Sequence, residues 1–362
     1  MPAPIASAPS TDRTNDGADA SIPAAPIGAG IASQTGEFWD SPLIKAAQEL
    51  AWREPPQVSD QLRAMLDFSK VYAIGAKVTR PLLRWHGGKW KLAPWIISHF
   101  PSHKVYVEPF GGVGSVLMQK LPAVSEIWND LEGEVVNLFQ VLRSDRADEL
   151  ARQVYLTPFS RQEYHLLYEM SDDPVERARR LIARSFMGQS SKGALRKSGF
   201  NSRINDDGFP SRLSALRALP DEFPVIIARL RNVIIEQRPA EALFLQYDRP
   251  DALFYVDPPY LSDRADHYNH EIDEEGHASL LKTLRRLHGM VVLSGYPSDL
   301  YDSTLTDWRR VEMAAFADGA RPRTEVLWLN PACVAALDEQ HPRLFDLATL
   351  DAANTPPEMT EV

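Results

Sequence analysis

The segment FYVDPPY, residues 254 to 260, brings together residue types that could bind and activate an amine. If a strand ends just before Asp257, this carboxylate reaches the C-terminal edge of a parallel sheet, where the sites of open α/β folds lie. Pro258 and Pro259 fix the backbone and donate no hydrogen bond, so the carbonyl groups of the turn stay free to accept. Tyr260 adds a flat aromatic face beside these acceptors.

A second segment, YVEPFGGVGS at residues 106 to 115, places a glycine turn directly after a predicted strand. Glycine lets the backbone approach a ligand closely, and nucleotide-like ligands bind at such turns in doubly wound sheets. Leu117 stands where a dinucleotide fingerprint needs a third glycine after Gly112 and Gly114. A phosphate loop is also excluded, because the Gly-Lys pair of this chain is followed by Trp90 rather than Ser or Thr.

Two acids flank this turn. Glu108 precedes it, and Asp130 follows at the end of the next predicted strand. A carboxylate at that place contacts ribose hydroxyls in nucleoside-binding sheets. A nucleoside group without phosphates therefore fits better than NAD or ATP. We predict that the cofactor is S-adenosylmethionine, the common cofactor of that description.

The FYVDPPY segment then has a specific chemical interpretation. An aromatic amine would donate its two N–H groups to the Asp257 carboxylate and the Pro258 carbonyl, while its ring stacks on Tyr260. The nitrogen of such an amine is a poor nucleophile. Hydrogen bonds that draw it toward a pyramidal geometry, with the sulfonium methyl group in line, would make it an adequate one. A base of duplex DNA must leave the stack to reach such a site. We predict a catalytic set formed by Asp257, Pro258, Pro259 and Tyr260.

Positive charge is concentrated between the second and third predicted strands. Residues 175 to 217 contain ten Lys or Arg and three Asp or Glu, in a chain whose net charge is −10. A solvated helical face would explain part of this segment. Its later part, SSKGALRKSGFNSR, mixes basic side chains with Ser, Asn, Gly and Phe, which suits contacts with phosphates and base edges. We predict that double-stranded DNA binds here, through Arg184, Lys192, Arg196, Lys197 and Arg203.

These residues require a sheet to position them, and seven short β-rich runs predict one. Amphipathic helical patterns separate most of the runs, which indicates an α/β fold with a parallel sheet covered on both faces. Only a hairpin-length loop separates the last two, so one of them must run antiparallel. The predicted strands are 104–109, 124–130, 232–237, 252–258, 289–296, 308–316 and 323–330.

Composition limits the class of protein. With 362 residues, 44% of them hydrophobic and 24% charged, the chain can bury a full core and is long enough for two domains. The acidic balance argues against a protein that coats nucleic acid nonspecifically. Cys333 is the single cysteine, the N-terminus has no basic segment followed by an apolar one, and no apolar run of about 18 residues occurs. We expect a cytoplasmic protein of a bacterial or phage-infected cell, with no membrane contact and no obligate protein partner.

The pattern also predicts domain boundaries. Residues 1 to 35 are rich in Ala, Pro, Ser, Gly and Asp and are expected to form a disordered arm. Apolar residues at helical spacing begin at Phe38 and again after Ser59. The predicted divisions are an arm at 1–35, a helical extension at 36–79, a cofactor-binding half at 80–144, a DNA-recognition insertion at 145–225, a D-P-P-Y half at 226–335 and a tail at 336–362.

Six blocks of this chain resemble, in order, the Dam-like, alpha-group DNA adenine methyltransferases. They are RWHGGKWKL (84–92), VEPFGGVGS (107–115), NDLEGEVVNLF (129–139), FYVDPPY (254–260), VVLSGY (291–296) and RTEVLWLN (323–330). The resemblance covers residues 80 to 332. It implies a class I, Rossmann-like methyltransferase fold with a target-recognition region between the two halves, where the basic insertion falls.

The resemblance also implies site residues. Asp130 would contact the ribose, and Asp257 would lie near both the methionine portion of the cofactor and the target amine. Tyr260 would stack on a flipped adenine. Together with the glycine turn, the predicted cofactor site comprises Trp85, Lys89, Glu108, Phe110, Gly112, Gly114, Asp130 and Asp257. Pro239 departs from the pattern, since family members often carry an acid there, near the cofactor adenine; Glu236 or Glu241 could substitute.

The predicted reaction is methyl transfer from S-adenosylmethionine to the exocyclic amine of adenine, with no metal and no covalent enzyme intermediate. His267, His270 and His277 cluster with acids, but they lack a helical i, i+4 pair and follow the D-P-P-Y turn, so we expect a mobile loop rather than a metal site. Two alternatives stay open: the same transfer to another planar amine, such as cytosine, an RNA base or a protein amide, or a noncatalytic DNA-binding module of the same fold.

Overall fold

The computed structural model describes residues 77–206, 208–261, 272–316 and 322–340. The expected N-terminal arm, the helices expected after Phe38 and Ser59, and residues 341–362 of the expected tail lie outside the described residues. His267 and His270 also lie outside them.

A seven-stranded mixed sheet forms the centre of the described protein, in the order β3-β2-β1-β4-β5-β7-β6. The first five strands of this order are parallel, and β7 is antiparallel to both β5 and β6. This topology confirms the α/β class I methyltransferase fold and its C-terminal hairpin. The strands are β1 (Val105–Glu108), β2 (Ser125–Asn129), β3 (Val233–Glu236), β4 (Ala252–Val256), β5 (Met290–Gly295), β6 (Arg309–Phe316) and β7 (Pro322–Leu329).

The central strands are apolar without alternation because helices cover the sheet on both faces. Every residue of β1, β4 and β5 is buried, and two separate hydrophobic clusters lie on the two faces. β3 lies at the edge of the sheet, and Ile234 there is 47% exposed. The central position of β1 and β4 brings the ends of both strands, and the loops that follow them, to one edge.

Eleven α-helices accompany the sheet within the described ranges. Asp173 shows how one begins: its carboxylate accepts from the backbone N–H groups of Val175 and Glu176, and Pro174 occupies the first turn. The helices are α1 (Ala93–Ile97), α2 (Gly133–Leu142), α3 (Ala147–Leu156), α4 (Arg161–Leu166), α5 (Pro174–Met187), α6 (Ser211–Arg217), α7 (Phe223–Leu230), α8 (Ala240–Tyr247), α9 (Glu274–Leu284), α10 (Asp299–Thr304) and α11 (Pro331–Gln340).

The inserted region is helical, as predicted, but it has no hydrophobic core of its own. Helix α5 packs against α2, and its buried side chains belong to the same cluster as Trp128 of β2 and Tyr255 of β4. The predicted division at residue 225 falls inside α7, and the division at 335 falls inside α11, whose Cys333 is fully buried. The insertion is therefore an extension of the sheet's core.

None of the described helices is both long enough and apolar enough to cross a membrane.

Candidate active site

A cavity of about 440 Å³ opens at the C-terminal ends of β1, β2 and β4. Its volume lies within the range of about 300–1,000 Å³ that small-molecule sites occupy. Both predicted segments line it, together with the segment before α1. The predicted site residues on its wall are Trp85, Lys89, Glu108, Phe110, Gly112, Asp130, Asp257, Pro258, Pro259 and Tyr260.

The Asp257 carboxylate is held from two sides. Ser294, at the end of β5, donates from Oγ to Asp257 Oδ1 at 2.6 Å. Lys89 places its ammonium Nζ 2.9 Å from Asp257 Oδ2. Ser294 is 2% exposed, so its contact is part of the buried structure. The carboxylate thus has a fixed orientation at the wall of the cavity.

Tyr260 is fixed at its hydroxyl end. The hydroxyl group donates to Glu325 Oε2 of β7 at 3.1 Å. The ring of Tyr296 packs edge-on against the Tyr260 ring, at a centroid distance of 4.4 Å. Glu325 is 8% exposed; burial raises its pKa, while the charge of Lys89 acts in the opposite direction. The aromatic face of the D-P-P-Y turn is therefore supported by the antiparallel hairpin.

The glycine turn forms the part of the cavity that follows β1. Gly112 and Gly114 have φ values of +49° and +65°, which favour glycine. A Cβ at Gly111 would lie 2.0 Å from Nε1 of Trp128, so backbone and indole are in direct contact there. Gly114 is the one predicted cofactor residue that does not line the cavity; it packs toward Phe139 behind the turn.

Asp130 closes this turn. Its carboxylate accepts from the backbone N–H of Gly112 at 2.6 Å and from that of Glu132 at 2.8 Å. Asn129 supports the same corner, since its side-chain amide donates to the carbonyl of Pro109 at 2.8 Å. Asp130 therefore shapes the cavity wall as well as lining it.

Glu108 is almost completely buried, at 2% exposure, and still borders the cavity. Burial raises its pKa from an ordinary 4.5 to about 8; the hydroxyl of Tyr106, which donates to it at 2.9 Å, offsets part of this and nearby Asp257 adds to it. Burial therefore favours the neutral form of this side chain.

The cavity wall nearest in sequence to Pro239 contains the apolar residue Ala240. Ala240 and Leu131 line the cavity, whereas neither Glu236 nor Glu241 does. The expectation that one of these two acids substitutes for the missing one therefore gains no support from the cavity wall.

Arg184, which we predicted to contact DNA, points into the protein in this structure. Its side chain is 13% exposed, and its guanidinium donates to the carbonyls of Ala194 at 2.5 Å and Leu167 at 3.3 Å. Both contacts lie within the insertion. In this structure the guanidinium holds the chain after α5 in place.

The other predicted DNA-binding residues lie in residues 188–206, which we call the basic loop. Arg196, Lys197 and Arg203 are exposed, and Lys192 is half-buried. The loop turns back on itself, with Gly188 bridging to Phe200. It also reaches the cavity, because Leu195 is part of the wall.

Sequence reasoning missed several residues of the site, among them Gly111, Leu195, Ser294 and Glu325. Gly111 stands in the glycine segment itself, so its signal was present but not separated from that of its neighbours. Ser294 and Glu325 lie on strands that sequence reasoning placed correctly. Only the order of the strands shows that both approach the D-P-P-Y turn.

Among the described residues, no group of three or more His, Cys, Asp or Glu side chains is arranged to hold a metal ion. His277 is fully buried, and its Nδ1 lies 2.9 Å from the hydroxyl of Tyr301.

The strand order and the position of the cavity define a class I methyltransferase. The family model for the D12 class N6 adenine-specific DNA methyltransferases matches residues 85–312, and the chain belongs to this family.

Curated relatives agree with this assignment. The chain is 31% identical over 109 residues to the DNA adenine methylase of Serratia marcescens, a match that covers 29% of this chain and 40% of that protein. It is 30% identical over 108 residues to the DNA adenine methylase of Escherichia coli strain K12, covering 28% and 38%. The chain thus spans about two fifths of the length of these relatives. An alignment with the solved structure of an rRNA methylase from Streptococcus thermophilus covers 70% of this chain and 98% of that chain, at 10% identity and a TM-score of 0.27.

Proposed function

We propose that this protein transfers a methyl group from S-adenosylmethionine to the exocyclic N6 amine of an adenine flipped out of double-stranded DNA. One observation carries the proposal: the Asp257–Tyr260 turn and the glycine turn line a single cavity. A methyl donor at one turn and an acceptor amine at the other would therefore meet.

The residues present suit an adenosine-containing cofactor. The cavity is large enough, its wall includes the apolar residues Ala240 and Leu131, and the glycine turn permits close approach of a ligand to the backbone. Asp130 would bind the ribose hydroxyls through its carboxylate. Lys89 would bind the carboxylate of the methionine portion. The cofactor supplies a methyl group activated by a sulfonium centre.

The protein's own residues would activate the amine. Ser294 already occupies Asp257 Oδ1, so Oδ2 is the oxygen that would accept one N–H of the adenine, and the carbonyl of Pro258 would accept the other. Tyr260 would support the ring of the base. When the amine nitrogen takes the methyl group, the bond from this carbon to the sulfonium sulfur breaks and the nitrogen gives up a proton, which the Asp257 carboxylate would accept.

The basic loop supports DNA as the substrate. It carries exposed Arg196, Lys197 and Arg203, and Ser191 at its start has its hydroxyl 3.3 Å from Nδ1 of His86, a residue of the cavity wall. A duplex held by the basic loop would therefore present its bases at the mouth of the cavity.

A labelled-methyl assay tests the proposal. The full chain, given S-adenosylmethionine with a tritiated methyl group, should label unmethylated duplex DNA as N6-methyladenine and leave RNA and protein unlabelled. Asp257→Ala should abolish labelling, while Asp251→Ala, at the opposite end of β4, should not. Label in cytosine, RNA or protein, or full activity of Asp257→Ala, would refute the assignment.

A further inference from the structure

The Lys89 ammonium has a complete set of partners. It donates to the carbonyl of Gly87 at 2.9 Å, pairs with Asp257 Oδ2 at 2.9 Å, and lies 4.6 Å from the ring centroid of Tyr260. An ammonium group has three N–H donors, so each has a partner here. The side chain is only 7% exposed, which makes this a buried and specific position.

Two of these three partners are the ones that the target amine would use. The adenine amine would donate to Asp257 Oδ2, and its ring would stack on Tyr260. Stacked rings have centroid separations of about 4.5–7 Å, so a base on this face of Tyr260 would contact an ammonium already 4.6 Å from that ring. Lys89 and a flipped base would therefore compete for the same space.

Of the two groups that hold Asp257, only Lys89 can readily withdraw. Ser294 lies on a fully buried strand, and its hydroxyl is also 3.3 Å from the hydroxyl of Tyr255, so neighbouring groups hold it in place. Lys89 sits on a flexible four-carbon stem that follows two glycines, and Gly87 there has a φ of +72°. Withdrawal needs a new anionic partner, because an ammonium left buried and unpaired is strongly unfavourable.

We propose that Lys89 is a placeholder for the target amine: its ammonium occupies the amine's position at Asp257 and Tyr260, and withdraws only when the cofactor's carboxylate offers a second anion. This inference rests on the proposed function. Before cofactor binds, Lys89 neutralises Asp257 and blocks the stacking face. With cofactor present, Lys89 turns to the carboxylate and Asp257 Oδ2 becomes free. Cofactor binding thus precedes productive entry of the base.

Base entry can be followed with 2-aminopurine, which becomes fluorescent when it leaves the stack. It would replace the target adenine in a duplex whose sequence context is read from modified bases in DNA of expressing cells. Two non-reactive ligands distinguish the effect of the cofactor's amino-acid carboxylate from that of its adenosine group: sinefungin retains the carboxylate, and 5′-methylthioadenosine lacks it. For the wild-type protein we expect a fluorescence increase at least about fivefold larger with sinefungin than with 5′-methylthioadenosine or no ligand.

Two variants make the test specific. Lys89→Met keeps the stem without the charge, and it should give the full increase with no ligand at all. Lys91→Met removes an exposed lysine two positions away and should behave like the wild type. Equal fluorescence of the wild type with sinefungin, with 5′-methylthioadenosine and without ligand, or a ligand requirement retained in Lys89→Met, would overturn the inference.

A second measurement needs neither DNA nor a stable Lys89→Met protein. In protein labelled with ¹³C at the lysine Cε, the Lys89 signal is identified by its loss in Lys89→Arg. Sinefungin should shift this signal, and 5′-methylthioadenosine should leave it in place; an unshifted signal with bound sinefungin contradicts the placeholder role. If the wild type neither binds sinefungin in calorimetry nor methylates DNA, the proposed function fails. If it does both and Lys89 does not respond, only this inference fails.

Discussion

Ser294 Oγ lies 2.6 Å from Asp257 Oδ1 and joins the end of β5 to the first residue after β4. The bond fixes which oxygen of the carboxylate faces the cavity. A hydrogen bond to a charged group contributes about 1.5–3 kcal/mol, so this contact is strong enough to determine the orientation of Asp257.

Ser294→Ala should therefore slow methyl transfer while leaving cofactor binding intact. We expect the single-turnover rate to fall by about tenfold to a hundredfold, because a freely rotating carboxylate holds the amine poorly. The dissociation constant for sinefungin, measured by calorimetry, should change less than about twofold. Ser303→Ala, on the exposed side of α10, is the matched control. An unchanged rate in Ser294→Ala would show that Asp257 needs no such support.

Two substitutions of Tyr260 separate the role of its ring from that of its hydroxyl group. Tyr260→Phe keeps the ring but leaves the buried Glu325 without its donor, which should lower the free energy of unfolding by about 1–3 kcal/mol. Tyr260→Ala also removes the stacking surface, and base stacking contributes about 1–3 kcal/mol. We therefore expect methyl transfer to fall at least about tenfold further in Tyr260→Ala than in Tyr260→Phe. Equal rates would exclude stacking on this ring.

Gly111→Ala should damage the cofactor site through packing. The added methyl carbon would lie 2.0 Å from the Trp128 indole, a distance that requires the turn or the ring to move. We expect a loss of about 1–3 kcal/mol in stability and sinefungin affinity at least about tenfold weaker. Gly133→Ala is the control, because its Cβ would meet only the flexible end of Gln237 at 3.3 Å. Wild-type affinity in Gly111→Ala would contradict the close contact.

Glu108 predicts a pH dependence of stability. Its pKa of about 8 in the folded protein lies above the ordinary 4.5, so between these pH values the unfolded chain loses a proton that the folded chain keeps. Stability therefore falls as the pH rises through this window, by about 5 kcal/mol when complete. Glu108→Gln can still accept from Tyr106 but does not ionise. Urea unfolding at pH 5 and pH 8.5 should show a larger loss for the wild type than for Glu108→Gln; equal losses would refute the raised pKa.

Substitutions in the basic loop and at Arg184 distinguish residues that contact DNA from residues that stabilise the fold. Lys197→Ala combined with Arg203→Ala should weaken DNA binding and reduce its salt dependence, with the slope of log K against log salt falling by about 1 for each phosphate that is no longer neutralised. Stability should hardly change, since both side chains are exposed. Arg184→Ala should instead destabilise the protein by about 1–3 kcal/mol, because the carbonyls of Ala194 and Leu167 would be left without their donor. Fluorescence anisotropy at several salt concentrations, with thermal unfolding, measures both effects. An unchanged salt slope in the double variant would exclude these two residues as phosphate ligands.

The sequence predicted the sheet well because its strands are buried on both faces and read as uninterrupted apolar runs, as in residues 252–256. The residues that border the cavity were also accessible, since Asp257 and Gly112 follow directly after strands. Contacts between side chains on different strands could not be predicted from the sequence. Ser294 and Glu325 act on residues that lie 37 and 65 positions earlier in the chain, and no local pattern marks them.

Arg184 shows a second limit of prediction from the sequence. Charge in a basic segment is visible in the sequence, but its direction is not. On α5, one arginine can turn inward to satisfy backbone carbonyls while others in the same segment face solvent. The three-dimensional position of the chain after the helix decides which is which, and that position depends on tertiary packing.

The shared core of the insertion and the sheet limits how this protein can acquire a new recognition sequence. Exchange of the whole region for that of a relative would cut through one packed interior and leave unmatched apolar surfaces on β2 and α2. Natural variation and protein engineering alike would have to act on the exposed stretch after α5, where side chains can change without disturbing the interior. If the basic loop reads the DNA, as we propose, specificity would change along this one short surface segment, while the packed scaffold beneath it would stay the same.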